Sequence, residues 1–239
     1  MDKELTFVEH LEEVRRRIMI SLIFVIALTI LAFSYAPKIL ILLKIPSSGA
    51  IDKLVFFDPA EAFMIHIKIA FFTGLVVSMP VLLYQLWAFI SPAIGKNTKK
   101  HGLLFLSASL AAFILGASFA FFVLLPVAIK FLLGFSGESL EPMISVSNYV
   151  SFTLGLVGTC GLVFEMPVLS FILSKFGIID HRFLRRVWKY AVVVIFIIAA
   201  VVTPTPDIFN MTILALPMLF LYEVSVWVSK LSGKKWMSG

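Results

Sequence analysis

Long uncharged stretches alternate with short charged ones along almost the whole chain. Six stretches lack Asp, Glu, Lys and Arg, apart from Glu165 in the fourth: Ile18–Ala36, Ile69–Gly95, Gly102–Ile129, Pro142–Ser174, Tyr190–Pro206 and Ile208–Tyr222. A bilayer core about 30 Å thick needs about 20 helical residues to cross it. The first four stretches reach that length, and the last two are shorter, at 17 and 15 residues. The pattern therefore predicts six transmembrane helices, with the bilayer locally thinner beside the last pair.

The expected fold class is an all-α integral membrane protein, organised as a single polytopic membrane domain over residues 1–239. An amphipathic helix is expected at about 6–17, because Phe7, Leu11, Val14 and Ile18 form one apolar face. The expected spans follow at about 18–36, 69–93, 103–130, 147–174, 188–203 and 207–227. Prolines inside the spans should kink them and favour a curved, concave helix arrangement; they stand at positions 80, 126, 167 and 217.

Composition supports a membrane protein and excludes several other classes. Hydrophobic residues make up 60% of the 239 residues and charged residues only 14%, which is too little charge for a soluble domain of this length. The apolar runs do not alternate in polarity as the strands of an outer-membrane barrel do. Cys160 is the single cysteine, so neither a disulfide nor a paired-cysteine metal site can form within the chain.

The distribution of basic residues indicates the orientation. Of the 20 Lys and Arg residues, fifteen lie on one side of the six predicted helices: in the N-terminal segment, near 96–100, between 175 and 189, and in the C-terminal tail. The positive-inside rule places that side, and both termini, in the cytoplasm. The formal charge of +6 is therefore attributed to membrane topology, and no nucleic-acid partner is expected.

The stretch HLEEVRRRI places carboxylates and guanidinium groups directly before the first apolar run. Glu9 follows Thr6 at the spacing of a capping box. Glu12 and Glu13 stand four residues before Arg16 and Arg17, a spacing that favours ion pairs along a helix. The segment can be a self-paired helix that fixes topology, or a carboxylate at this boundary can receive a cationic partner. A bidentate guanidinium–carboxylate contact at such an edge contributes about 1.5–3 kcal/mol.

Two further acidic residues need an explanation. Glu165 lies about nine residues, or about 14 Å, from the cytoplasmic end of its predicted span. Because a charge at that depth is costly, this residue should either be protonated and bonded to a neighbouring helix or face a polar functional cavity. Asp207 follows closely spaced prolines between the last two spans and is expected to cap the sixth helix.

The residues alone leave three functional classes to compare. A receptor or scaffold fits the boundary carboxylates, whereas a small proton-coupled transporter would use Glu165 as its proton carrier. Transporters of that kind usually carry internal repeats, and none is visible in this sequence. An intramembrane enzyme lacks the motifs His-Glu-x-x-His and Gly-x-Ser-x-Gly and a phosphate-binding glycine loop. The four histidines are too dispersed for a metal site, so neither a metal nor a cofactor is expected.

Motifs along nearly the whole chain match a known family in order: HLEEVRRRI, PVLLYQLWAFISPAI, FVLLPVAIKFL, FEMPV and TPTPDIFNMTILALPMLFLYE. By these motifs the chain resembles the TatC family, the core and receptor subunit of the twin-arginine protein translocase. The resemblance implies a non-enzymatic receptor in the cell inner membrane that binds the twin-arginine signal peptides of folded cargo proteins. It also implies single-span partners of the TatA and TatB type, self-association, and export driven by the proton-motive force without a nucleotide cofactor.

The resemblance also assigns the recognition carboxylates. Glu13 falls on the family's recognition glutamate. Thr98 stands where the family has a second recognition glutamate in the first cytoplasmic loop, which is a departure from the family pattern. Glu9 or Glu12 could substitute for that missing carboxylate, or binding could rest mainly on Glu13.

Other positions match family positions as well: Arg15, Arg17, Phe89, Pro46, Glu165 and Asp207. The two arginines would hold the recognition carboxylate in place and keep it ionised. Phe89 would support the apolar stretch of the signal peptide or simply anchor its helix at the interface, and Pro46 would shape the outer loop. Glu165 would form the polar feature of a concave face and meet a polar group of a partner helix. The short last helices would offer the edge where that partner docks.

Overall fold

The computed structural model describes residues 7–47, 51, 54–90, 98–134, 143–175, 177–203 and 208–233. Within these ranges the backbone is almost wholly helical, as the uncharged runs predict. The α-helices are α1 (Phe7–Phe33), α2 (Ala36–Leu43), α3 (Pro59–Ile90), α4 (Thr98–Phe119), α5 (Leu125–Gly134), α6 (Val146–Phe164), α7 (Met166–Lys175), α8 (His181–Val202) and α9 (Ile208–Gly233). A 3₁₀ turn covers Ile45–Ser47, a π-helical segment covers Ala120–Leu124, and β1 (Leu54–Val55) pairs in parallel with β2 (Ile144–Ser145).

Five helical segments among the described residues are long and apolar enough to cross a membrane. They are Leu11–Phe33, Pro59–Phe89, Gly102–Gly134, Val146–Lys175 and Met211–Ser232. Helix α8 carries four Arg and Lys residues in its first half, which leaves only a short uncharged stretch after Lys189. A sixth span therefore stays a prediction, as does the side of the membrane on which the termini lie.

The expected amphipathic segment and first span form one continuous helix, α1, rather than two separate elements. Nothing in the sequence Phe7–Phe33 interrupts this helix, because the stretch contains neither glycine nor proline. The charged turns of α1 are consequently fixed in rotation relative to its apolar turns. Packing of the apolar half against a neighbour therefore also decides which way the charged side chains face.

The prolines affect the helices differently. Pro80 and Pro217 lie inside continuous helices, α3 and α9. Pro126 is the second residue of α5 and comes just after the π-helical segment Ala120–Leu124, where the Leu125 N–H donates to the Ala120 carbonyl five residues back. Pro167 lies in the first turn of α7, just after the turn that separates α7 from α6, where its missing N–H costs little.

The chain forms two compact units, one of Met1–Ile39 with His66–Leu110 and one of Leu40–Ile65 with Ala111–Gly239. In the first unit, α1 and α3 approach each other closely at Gly74. A Cβ atom on this glycine would lie 2.4 Å from Thr29 Oγ1 and 2.6 Å from the Thr29 backbone nitrogen. Near the end of α3, the Trp87 ring stacks on Phe105 of α4, with ring centroids 5.2 Å apart. These two contacts fix α3 between its neighbours within this unit.

In the second unit, hydrogen bonds join α7, α8 and α9. The Tyr222 hydroxyl of α9 donates to the Leu184 carbonyl of α8 at 2.7 Å, and one serine hydroxyl each from α7 and α9 share a bond of 2.6 Å. The Arg185 guanidinium of α8 pairs with both carboxylate oxygens of Glu223, with 3.0 Å between Nη1 and Oε2. Fixed polar contacts therefore accompany apolar packing in this helix group.

A carboxylate at the start of α3 ties this element to the start of α6 in the same unit. Glu61 Oε2 accepts from the Phe57 N–H at 2.8 Å. Its Oε1 accepts from the Ser147 N–H at 3.0 Å and from the Ser145 hydroxyl. The parallel pairing of β1 with β2 lies beside this contact, and Asp58 caps α3 through a 2.7 Å bond from the Ala60 N–H.

Replacing Gly74 with alanine should destabilise the first unit, because the new methyl group meets backbone atoms of Thr29 that cannot move alone. We expect the free energy of unfolding to fall by about 1–3 kcal/mol. Gly155→Ala in α6 is the matched control, since no atom lies within 4 Å of the added Cβ. Unfolding in detergent followed by tryptophan fluorescence measures both. Equal stability of the two variants would show that the α1–α3 approach is looser than described.

Candidate functional site

A half-buried ion pair lies directly before the apolar half of α1. Arg17 Nε donates to Glu13 Oε1 at 3.1 Å, and Arg17 Nη2 donates to the same oxygen. The arginine side chain is 22% exposed and the glutamate side chain 25%. Of the two ion pairs expected from the spacing of four residues, Glu13–Arg17 is confirmed. Glu12 and Arg16 are exposed and form no ion pair with each other among the described residues. Partial burial makes the Glu13–Arg17 pair stronger than a fully solvated pair, because water screens it less.

The same guanidinium connects α1 to the end of α3. Arg17 Nη2 donates to the Ala88 carbonyl oxygen at 2.9 Å, and Nη1 donates to Gln85 Oε1 at 3.4 Å. One side chain thus serves three acceptors on two helices. The planar fork of donors on a guanidinium makes this possible, and the single ammonium group of lysine does not reproduce it.

An apolar groove of about 280 Å³ runs beside this ion pair, between α1 and α3. It is lined by Val14, Arg17, Ile18, Ser21, Leu82, Gln85, Leu86 and Phe89. Arg17, Ser21 and Gln85 are the polar residues of this lining. The groove therefore offers apolar surface directly next to a half-buried carboxylate that has a fixed position.

The remaining charged residues of this segment lie elsewhere on α1. Glu12, Arg15 and Arg16 are exposed, so they do not share the position of the half-buried pair. Glu9 belongs to α1 and Thr98 begins α4, but their side chains fall outside what the structure describes. No role for either side chain can be tested on this geometry.

Comparison with known proteins decides the family. The family model described as Sec-independent protein translocase protein (TatC) matches residues 9–217. The chain belongs to the TatC family. The motifs in the sequence had indicated this family, and that expectation is confirmed.

Relatives in the family match over nearly the full chain. The Sec-independent protein translocase protein TatC of Carboxydothermus hydrogenoformans is 40% identical over 238 residues, covering 100% of this chain and 98% of the relative. TatC of Aquifex aeolicus is 39% identical over 231 residues, covering 95% of each. A crystal structure described as twin arginine translocase receptor TatC superposes with a TM-score of 0.87 at 38% identity, covering 94% of this chain and 99% of the other. These relatives are named as translocase components, which is a transport role and does not favour the proton-coupled transporter.

Two of the site residues expected from the TatC family belong to the second unit. Glu165 is 4% exposed and sits at the turn between α6 and α7, where its N–H donates to the Leu162 carbonyl at 3.1 Å. Pro46 lies in the 3₁₀ turn Ile45–Ser47. Asp207 falls outside the described residues, so its expected capping role is not tested.

No group of three or more His, Cys, Asp and Glu side chains able to hold a metal ion occurs in the part of the chain that the structure describes. Among those same residues, the most organised polar arrangement in the first unit is the one around Arg17. Gln85 and the Ala88 carbonyl are members that the sequence analysis missed. The available signal was that Gln85 is the sole side-chain amide in the uncharged stretch Ile69–Gly95.

Arg17→Gln should separate the end of α3 from α1, because Glu13 and the Ala88 carbonyl lose their shared donor. We expect the free energy of unfolding in detergent to fall by about 1–3 kcal/mol. Arg16→Gln removes the same charge from an exposed position and should change stability by less than about 0.5 kcal/mol. Equal losses in both variants would mean that net charge, rather than these hydrogen bonds, sets the effect.

Proposed function

We propose that this TatC-family chain is the membrane receptor of a twin-arginine translocase and binds twin-arginine signal peptides at Glu13. The observation that carries the proposal is a carboxylate that Arg17 holds in place beside an apolar groove. The glutamate side chain is 25% exposed. A solved relative with 38% identity is described as the twin arginine translocase receptor, which supports the same role.

The chemistry of the pair explains why an arginine would be read there. A guanidinium presents several N–H donors in one plane, and a positioned carboxylate accepts two of them at once. An ammonium group offers only a compact point charge, so it gains less from a fixed carboxylate. The apolar stretch of the peptide would then lie along the groove, where Phe89 supplies aromatic surface.

We propose that binding rests mainly on Glu13. Thr98 occupies the second recognition position of the family pattern, so a second carboxylate is missing there. Glu12 is exposed and has no part in the Arg17 network. Glu9 is the candidate second acceptor, because it lies one turn before Glu13 on α1. Arg15 adds exposed positive charge next to the site and is proposed to act on the carboxylate only from a distance.

The proposed topology has six spans, with both termini in the cytoplasm of a cell with an inner membrane. Helix α8 would be the fifth span, and its basic first half would lie at the cytoplasmic surface. The short uncharged half of α8 would thin the bilayer beside it. The site on α1 and the end of α3 would then face the cytoplasm, where signal peptides arrive.

Partner assembly is proposed to use the second unit. Single-span subunits of the TatA and TatB type would dock beside α8 and α9, and the buried Glu165 would meet a polar group of one partner helix within a concave face. Asp207 would end the turn before α9, and Pro46 would shape the loop before α3. Copies of the chain would associate, and the proton-motive force would drive export without a nucleotide.

Glu13→Gln should weaken binding of a labelled twin-arginine signal peptide to the purified chain by about tenfold or more. The reason is that a charge-assisted hydrogen bond at a partly desolvated site is lost. Glu12→Gln is the matched control, because it removes an exposed carboxylate one position away and should leave the affinity within about twofold. Fluorescence anisotropy in detergent measures both dissociation constants. Unchanged affinity in Glu13→Gln would remove the basis of this receptor site.

Topology can be tested by single cysteines in a Cys160→Ser background. Lys38→Cys in α2 should react with a membrane-impermeant maleimide on intact cells. Lys189→Cys in α8 should react only after the membrane is opened. The reverse labelling pattern would contradict the proposed orientation, and labelling of both positions on intact cells would contradict the three spans proposed between them.

A further inference from the structure

The carboxylate of Glu13 is used unequally by the protein. Both donors that Arg17 sends to it, Nε and Nη2, end on the same oxygen, Oε1. Among the residues that the structure describes, Oε2 accepts no hydrogen bond. A carboxylate oxygen has two lone pairs, so Oε1 has its full set of donors and Oε2 has both lone pairs open.

Contacts on α3 enforce this division. The Arg17 guanidinium is held in place by the Ala88 carbonyl at 2.9 Å and by Gln85 Oε1 at 3.4 Å. Gln85 lies 68 positions away in sequence, and its side chain takes part in no other hydrogen bond of the described residues. With these two acceptors in place, the plane of the guanidinium is fixed by α3 as well as by Glu13. Arg17 therefore keeps its hydrogen bonds to Oε1 when the carboxylate receives a second partner.

We infer that Gln85 is a positioning residue for arginine recognition: through Arg17 it fixes the Glu13 carboxylate so that Oε2 alone is offered to the signal arginine. This inference rests on the proposed signal-peptide receptor function. The incoming guanidinium donates two N–H groups to Oε2, while Oε1 stays with Arg17. Two guanidinium groups then share one carboxylate without displacing each other.

The arrangement accounts for discrimination as well as affinity. Two planar donors converging on a single oxygen need that oxygen at a defined angle, whereas an ammonium group tolerates many carboxylate orientations. Loosening Arg17 should therefore weaken arginine binding more than lysine binding. A residue that only stabilises the fold would lower both affinities in parallel.

The experiment compares a twin-arginine signal peptide with its twin-lysine form on the full chain in detergent. The readout is the dissociation constant of the twin-lysine peptide divided by that of the twin-arginine peptide. A larger ratio means a stronger preference for arginine. Gln85→Met keeps the length of the side chain but removes the acceptor oxygen. It should reduce the ratio by about threefold, because the 3.4 Å bond is long and contributes part of a full charge-assisted hydrogen bond. Binding of the twin-lysine peptide should change by less than about twofold.

Arg17→Lys is the second variant, and it tests the inference if Gln85→Met does not fold. It retains the positive charge on α1. It should reduce the ratio by about tenfold, because lysine cannot serve three acceptors at once. Arg16→Lys at the exposed neighbouring position is its control and should keep the wild-type ratio.

Two results would overturn the inference. If the unaltered chain prefers arginine and Gln85→Met keeps the full ratio, or lowers both affinities equally, the positioning role is wrong and the receptor proposal stands. If the unaltered chain binds both peptides equally, the receptor proposal and this inference fail together.

Discussion

The guanidinium of Arg17 is the interaction on which the candidate site depends. A permanent charge on a helix that continues into an apolar run has to find acceptors, because leaving it unpaired at a partly buried position is costly. Arg17 finds three, on Glu13, Gln85 and Ala88, and two of them belong to α3. The requirement to satisfy one cation therefore sets both the junction of two helices and the position of a carboxylate. The helix junction and the proposed recognition site therefore depend on the same hydrogen bonds.

Close packing deeper in the same unit makes this junction reproducible. Thr29 and Gly74 bring α1 and α3 together without room for another carbon atom. Because α1 is one uninterrupted helix from Phe7 to Phe33, contact at Thr29 also sets the rotation of Glu13, sixteen positions earlier. A site built on two rigid helices holds its carboxylate more accurately than a site on loops would. The packing of the apolar segment thus positions the charged segment of the same helix.

Local sequence spacing was enough to predict some features and could not predict others. The Glu13–Arg17 pair joins residues four positions apart, so their spacing predicted it. The helical class and the TatC family were likewise evident from runs and motifs. The contacts from Arg17 to Gln85 and Ala88 join positions 68 and 71 residues apart, and periodicity carries no information about such pairs.

Other differences have equally local reasons. The expected amphipathic segment, about 6–17, adjoins the first expected span, about 18–36, and the two form one helix because no glycine or proline divides them. The tie from Glu61 to the start of α6 was not foreseen, because a carboxylate in the first turn of a helix is already explained by that helix alone.

The most direct test of the account is photo-crosslinking of a twin-arginine signal peptide that carries a benzophenone side chain next to its arginine pair, with adducts located by mass spectrometry. The account predicts adducts on the groove residues of α1 and α3, such as Ile18, Leu86 and Phe89; adducts confined to α8 and α9 would contradict it.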